Sequence, residues 1–427
     1  MHDLSPAPAA GPADLAPPSP GRRTAFHLLL ALATFSVNAT LLTATILTLS
    51  LKSTAIDAGA ATTILSVTAS VGAVFTIVGY PLMGRLSDRT LGRFGRRRPY
   101  LVGGAVALGL GSLLLVQAAS TPVLVVGHAL LSVGYVTSLV AASALVPDQV
   151  PVEQRGTASS IVGLSTPVGA LLGLFVAQLL APDLTAMILV PGALGVVGSL
   201  ALAFGTKDAP LARAQRPAFA LRDLAGTFWV DPRTAPGFAW AWLSRILLFL
   251  GVSAVNAYQA FYLIMVQHVT PAEVAGKIFV ATAVVTGTSL VLAPVAARVS
   301  DRIGRRKPFV LSAAVVFAAG LALVTRADGF GEFLVAMAVM GAGQGVYLAV
   351  DFALVTQVLP DPTNPAKDLG IMNLANTLPA SIVPAVAPAV LAIGAGPGEQ
   401  NFAALFGLGA LAALLGAAAV LPIRGVR

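Results

Sequence analysis

The chain has no cysteine, four histidines and few charges: Asp, Glu, Lys and Arg make up 10% of its 427 residues. Each scarcity excludes something. Without cysteine there are no disulfides, thiolate metal sites or cysteine nucleophiles. His2, His27, His128 and His268 are too scattered for any metal-ligand spacing, so no metal is expected. No Gly-Lys pair followed by Ser or Thr occurs, which removes the phosphate-cradling loop of ATP-driven machines. A soluble chain carries about 25% charged residues to cover its water-facing surface, and this one cannot. A soluble enzyme is excluded, and no cofactor is expected.

What the chain has instead is 56% apolar side chains, 42 glycines and a mean hydropathy of +0.86. Abundant small residues suit helices that pack closely in lipid. About 20 apolar residues make one membrane crossing, and twelve such runs can be cut: 25–50, 60–84, 100–118, 122–146, 157–180, 184–204, 238–266, 276–297, 308–325, 331–359, 370–393 and 401–422. The fold class is an all-α membrane protein of twelve transmembrane helices in two six-helix, pseudo-symmetric halves. Residues 1–24, rich in Pro, Ala, Gly and Ser, cannot bury enough apolar surface to order and read as a disordered cytosolic tail. The halves are 25–204 and 238–422. Between them 205–237, with Lys207, Arg213, Arg216, Arg222 and Arg233, reads as a cytosolic linker, and 423–427 as a second cytosolic tail.

The net charge of +8 is a matter of topology rather than nucleic acid, because the basic residues cluster between apolar runs. With the N-terminus inside, 22 of the 26 Lys and Arg fall in cytosolic segments; Lys52, Lys277 and Arg326 fall outside, and Arg245 lies within a span. The positive-inside rule then puts both termini in the cytosol and the chain in a cell membrane. Ser87-Asp88-Arg89 recurs 213 residues later as Ser300-Asp301-Arg302, and Pro147-Asp148 recurs at the same offset as Pro360-Asp361. Arg98-Pro99-Tyr100 is echoed by Lys307-Pro308-Phe309, with four extra residues in the first copy of the loop. Two repeated halves of this kind predict a substrate site between them near the midplane.

The loop after the second run reads Gly84-Arg85-Leu86-Ser87-Asp88-Arg89, then Phe94-Gly95-Arg96-Arg97-Arg98-Pro99; its counterpart reads Ser300-Asp301-Arg302-Ile303-Gly304-Arg305-Arg306-Lys307-Pro308. Both resemble the cytosolic loop signature of the major facilitator superfamily, at matching places in the two halves. The resemblance implies a secondary transporter that works by alternating access, by superfamily default a monomer. It also implies a cytosolic gate made by Gly84, Asp88, Arg89, Gly95, Arg96, Arg97, Asp301, Arg302, Gly304 and Arg305. A carboxylate there is suited to the positive end of a helix in the opposite half or to an arginine, which would latch that side shut.

The Phe-Gly-Arg-Arg-Arg-Pro form is similar to the glycoside–pentoside–hexuronide cation symporters and the related sucrose-transporter group. Gly370-Ile371-Met372-Asn373-Leu374-Ala375-Asn376-Thr377-Leu378-Pro379, opening the eleventh helix, resembles the same group. This resemblance implies a sugar or glycoside as the small-molecule substrate. Helices one to six carry no acid away from their ends, a departure that favours protons over sodium as the coupling ion.

One acid and one base are left inside the bilayer. Asp351 lies about nine residues before Pro360, hence ~13 Å into the tenth helix. Arg245 lies at similar depth in the seventh, and in the superfamily fold both helices border the central cavity. An unpaired charge in hydrocarbon costs several kcal/mol, so the two are expected to pair. Burial raises a carboxylate's pKa and a neighbouring arginine lowers it, so a pair whose surroundings change between states can take up and release a proton; a permanent structural ion pair is the alternative. Gln344, Tyr347 and Asp351 share one helix face. Asn38, Tyr135, Ser138, Asn256, Tyr258, Gln259, Asn373 and Asn376 complete the cavity candidates, as amides, hydroxyls and aromatic faces suit a sugar. Ser138 occupies the repeat position of Asp351, which makes the halves electrically unequal. His128 reads as a packing residue or a titrating one, and Trp229, Trp240 and Trp242 as an interfacial belt.

The expected function is proton-coupled uptake of a sugar or glycoside. The alternatives are proton-coupled efflux of a drug or secondary metabolite, and a non-transporting membrane sensor or scaffold.

Overall fold

A computed structural model describes residues 20–151, 154–208, 230–360, 365–396 and 399–423. Most of the two tails, the linker residues Arg213, Arg216 and Arg222, and Trp229 and Asp361 lie outside the described residues.

Twelve helices are long and apolar enough to cross a membrane. We number them α1 (Pro20–Thr43, continued by Ala44–Thr48 and Leu49–Ile56), α2 (Ala61–Asp88), α3 (Arg98–Gln117), α4 (Thr121–Gln149), α5 (Arg155–Leu180), α6 (Leu184–Gly205), α7 (Pro236–Met265), α8 (Pro271–Ile303), α9 (Lys307–Val324), α10 (Phe330–Val355), α11 (Pro365–Thr377 and Pro379–Leu391) and α12 (Phe402–Val420). The hydropathy runs locate every one. They stop short where polar residues extend a helix past the apolar stretch, as at the basic end of α8 and at Pro147-Asp148 in the last turn of α4.

Helix starts follow local chemistry. Proline stands in the first turn of α3, α4, α7, α8 and α9, where its missing N–H costs no hydrogen bond. The Asp183 side chain accepts from the N–H of Thr185 and Ala186 at the start of α6, and Asn401 from Ala404 at the start of α12. Two helices are irregular. Residues Ala44–Thr48 of α1 form a wider π-helical turn. The run from Gly370 to Pro379 does not simply open α11: Pro379 has no N–H to continue the ladder, and the helix is interrupted at Leu378.

Each six-helix set pairs its members in the same order. In the first, α1 packs on α5 and α6, α2 on α4, and α3 on α4 and α6; in the second, α7 packs on α11 and α12, α8 on α10, and α9 on α10 and α12. Glycine permits the tight contacts. A Cβ at Gly111 would lie 2.7 Å from Leu131 N, and one at Gly343 would lie 2.5 Å from Phe317 N. The two sets meet through α2 with α11, α5 with α8, and the outer stretch of α1 with α7.

Candidate functional site

Between the two sets lies a cavity of about 1010 Å³, walled by α1, α2, α4 and α5 on one side and α7 and α11 on the other. Its apolar lining includes Leu41, Leu42, Ile46, Leu139, Val140, Val162, Phe249, Val252 and Leu374. Its polar lining includes Thr76, Tyr80, His128, Ser132, Tyr135, Ser165, Asn256, Asn373, Asn376 and Thr377. No Asp, Glu, Lys or Arg lines it among the described residues.

Of the predicted cavity residues, Tyr135, Asn256, Asn373 and Asn376 line it. Asn373 and Asn376 are themselves in contact, Nδ2 of Asn376 lying 3.5 Å from Oδ1 of Asn373. The lining residues Tyr80, Thr76, His128 and Ser132 escaped selection. The α2 pair and Gly72 share a helical face, a spacing the sequence did carry, but hydroxyls spread around α2 at Thr62, Thr63, Ser66, Thr68 and Ser70 give no sign of which face is wet.

The other six candidates do not line it. Asn38 stands one layer back, accepting from the Tyr135 hydroxyl at 3.3 Å and donating to Thr34 O at 2.8 Å and Ser165 Oγ at 3.2 Å. With the Tyr80 hydroxyl 3.4 Å from that of Tyr135, it links the lining residues Tyr80, Tyr135 and Ser165 into one bonded chain. Ser138 faces α6 instead, accepting from Ser199 at 3.2 Å. Tyr258 is fully buried with its hydroxyl 2.7 Å from Ser66 Oγ. Gln259 is buried as well, and its Oε1 has no partner among the described residues. Gln344 is half-buried and Tyr347 fully buried on α10. That helix packs on α8 and α9, which keeps its inner face off the cavity.

The structure brings Arg245 and Asp351 together. Arg245 Nε lies 2.7 Å from Asp351 Oδ2, and a second guanidinium nitrogen meets the same oxygen. Both are buried, and the Tyr347 hydroxyl lies 3.3 Å from Ser244 Oγ beside them. The pair sits in the seam between α7 and α10, not on the cavity surface.

Hydrogen bonds between the halves lie towards the end opposite the basic loops. Ser66 meets Tyr258; Gln400 donates to Thr62 Oγ1 at 2.7 Å; Ser70 donates to Ser381 O at 3.3 Å. The rings of Phe175 on α5 and Phe279 on α8 lie 5.6 Å apart there. The predicted gate residues occupy the other end, and their carboxylates pair within their own halves. Asp88 is 2.6 Å from Arg97, and Asp301 is 3.6 Å from Arg306. Among the described residues no ion pair joins Asp88 or Asp301 to the opposite half, and the contacts between the halves lie at the far end.

The first of the two predicted gate loops is tightly knit. Arg97 bonds Asp148 at 2.9 Å through Nε, Asp88 at 2.6 Å, and Ser87, while Arg96 also meets Asp148. Burial works against the Arg97 charge, but Asp148 and Asp88 hold its pKa above the ordinary guanidinium value. Gly95 turns the chain at φ +92°, and Gly304 does the same at +67° in the second copy. Gly84 is half-buried near the end of α2; Arg89 N–H closes that helix on Leu86 O at 3.2 Å; Arg302 and Arg305 are exposed. One member was missed. Asp208 accepts from the N–H of Arg97 at 2.6 Å and of Arg98 at 2.7 Å, capping α3. A lone acid at the start of a polar linker carries no local signal of that role. Trp242 is half-buried near the start of α7, its indole donating to Ile371 O at 3.0 Å inside the second half.

The sequence matches the model of the family described as Major Facilitator Superfamily over residues 25–289 and 278–426. No curated protein sequence is significantly similar. Among solved structures, the nucleoside transporter NupG is similar at 14% identity and a TM-score of 0.72, over 95% of this chain and 100% of that one. A D-xylose-proton symporter matches at 17% identity and 0.69, over 94% and 98%. A bacterial homolog of the human lysosomal transporter Spinster, inward-facing and unoccupied, matches at 14% identity and 0.63, over 95% of each chain. At these identities the likeness is one of fold.

Proposed function

The chain belongs to the major facilitator superfamily, and from that premise we propose that it carries an uncharged, amphipathic organic solute of the glycoside type, taken up with protons by alternating access. It is a multi-pass membrane transporter, not an enzyme, and the non-transporting reading falls away. The observation that carries the substrate class is the cavity. It offers no charge to a charged solute, a set of carboxamides from Asn256, Asn373 and Asn376, and apolar walls from Leu41, Leu42, Val140, Val162, Phe249 and Val252. A sugar hydroxyl needs such amides and an aglycone needs such walls.

Proton coupling rests on Asp351 and Arg245, the buried pair whose surroundings change if α7 moves against α10. One structural neighbour being a D-xylose-proton symporter is consistent with it. The halves 25–204 and 238–422, joined by 205–237, would rock about this region as one monomer in a cell membrane, with the basic loops and both termini in the cytosol.

The test is uptake of radiolabelled p-nitrophenyl β-glucoside into proteoliposomes under an imposed pH gradient. Accumulation that collapses with the gradient is expected, and Asp351→Asn is expected to abolish accumulation while leaving downhill exchange. No gradient-driven flux of the glucoside overturns the reading; full accumulation by the Asn variant overturns the role of Asp351. A second reading, proton-coupled export of a neutral drug or secondary metabolite, is favoured by one observation: six of the ten polar candidates face other helices, leaving the walls largely apolar. Loading in inside-out vesicles, with none in right-side-out ones, would select it.

A further inference from the structure

The cavity wall contributed by α1 and α2 carries three polar side chains among the described residues: Thr45, Thr76 and Tyr80. All three are half-buried, and in each the hydroxyl proton is already committed. Thr45 donates to Leu41 O at 3.0 Å and Thr76 to Gly72 O at 3.0 Å, each one turn back along its own helix. For Tyr80 the sense of the bond is set from behind. Asn38 donates through Nδ2 to Thr34 O at 2.8 Å, and a carbonyl can only accept, so the Asn38 oxygen faces Tyr135. Tyr135 therefore donates to Asn38 Oδ1 at 3.3 Å, and the 3.4 Å bond between the two tyrosines is donated by Tyr80.

A hydroxyl whose proton is engaged keeps its lone pairs. These three oxygens can accept from a solute, whereas to donate, each must first break the bond it holds. The wall opposite, from α7 and α11, differs in kind. Asn256 and Asn373 are exposed there, and a carboxamide brings two N–H donors as well as an oxygen. Asn373 Oδ1 accepts from Asn376 Nδ2 at 3.5 Å, which leaves Asn373 Nδ2 to the cavity.

We infer that Thr45, Thr76 and Tyr80 determine specificity as an acceptor-only wall: they bind hydroxyl or N–H donors on the solute and discriminate against an ether, carbonyl or fluorine at the same positions. The solute then lies in one sense, its donors against α1 and α2 and its acceptors against Asn256 and Asn373. A glycoside meets this demand with its ring hydroxyls, and an ether-rich or ester-rich solute of the same size does not. Where the solute lacks a donor, two oxygens face each other unpaired, and a polar site rejects such an analogue. This rests on the substrate class proposed above.

The test is binding of p-nitrophenyl β-glucoside and its monodeoxyfluoro analogues, one hydroxyl replaced at a time, to the full-length protein. Fluorine is close to a hydroxyl in size but cannot donate. At least one analogue is expected to bind the wild-type protein about tenfold more weakly than the parent, the loss of one hydrogen bond. Tyr80→Phe, Thr45→Val and Thr76→Val should each weaken the parent several-fold, and one of them should bind the parent and the weakened analogue alike, because the oxygen that read the donor is gone. Thr45→Ser and Thr76→Ser, which keep the oxygen, are expected to retain the preference. A substitution that merely loosens the fold leaves the ratio of the two affinities unmoved. Analogues that all bind wild type as tightly as the parent overturn the acceptor-only wall, as does a preference that persists in all three variants. Failure of wild type to bind any of these sugars overturns the glycoside reading, and the wall with it.

Discussion

The two halves pair their helices in the same order but put their charges in different places. The first half keeps its ions at the surface loop, where Arg97 is shared by Asp88 and Asp148 and Asp208 caps the next helix, and its interior at the repeat position is the neutral Ser138 bonded to Ser199. The second half reverses this. Its loop shows a 3.6 Å contact between Asp301 and Arg306, two-thirds exposed on the acid, while its interior holds Arg245 and Asp351. The difference teaches that a repeat conserves packing more strictly than electrostatics. Helix contacts must match on both sides for the two halves to share one packing order, whereas a buried charge pair in one half needs no counterpart in the other.

The largest break in this asymmetry is Asp351→Asn. It leaves Arg245 charged and unpaired in the bundle, and breaking such a pair costs about 3–5 kcal/mol. A strongly lowered unfolding midpoint is expected in detergent. Adding Arg245→Met should restore most of it; no recovery would show that the pair is not the cause. Ser138→Asp, which plants an acid in the first half without a guanidinium, is expected to destabilise comparably.

Next in size is Arg97→Met, which strips Asp148, Asp88 and Ser87 of a common partner. Loss of charged hydrogen bonds of this kind costs about 1.5–3 kcal/mol, read as the same midpoint. The sign of its pH dependence follows from the raised pKa of Arg97. A cation with a raised folded pKa contributes stability that is complete below its ordinary value, so the difference between Arg97→Met and wild type should stay flat on the alkaline side until pH exceeds about 12.

A subtler comparison sets the two turn glycines against each other. Alanine in the left-handed region costs ~1–2 kcal/mol at either site. At Gly304 nothing lies within 4 Å of the new Cβ, but at Gly95 it would meet the Asp208 carboxylate at 2.3 Å. Gly95→Ala should therefore cost more than Gly304→Ala, and equal costs would show that Asp208 moves aside freely. The smallest effect expected is that of Asp301→Asn, below ~1 kcal/mol, as for other exposed pairs. A loss as large as that from Arg97→Met would erase the contrast between the loops.

Much of this was legible in the chain. The twelve helices follow from apolar runs of bilayer length, and the pairing of Arg245 with Asp351 from the expense of two lone charges at equal depth. The site was half legible. Asn256, Asn373, Asn376 and Tyr135 could be picked out as polar residues in apolar helices, but so could Tyr258 and Ser138, which spend their hydroxyls on Ser66 and Ser199. A polar residue in a helix reads the same whether it faces a cavity or a neighbouring helix.

By itself, the sequence determined class, helix number, repeat and the buried charge pair, since each follows from the cost of placing polar or charged groups in hydrocarbon, a property of composition and spacing. Only the tertiary structure decided which end of the halves is closed, that Asp208 caps the helix after the first basic loop, and that His128 and Ser132 pack against Gly72. Those depend on which faces of separate helices meet, and distances between residues far apart in the chain are set by packing.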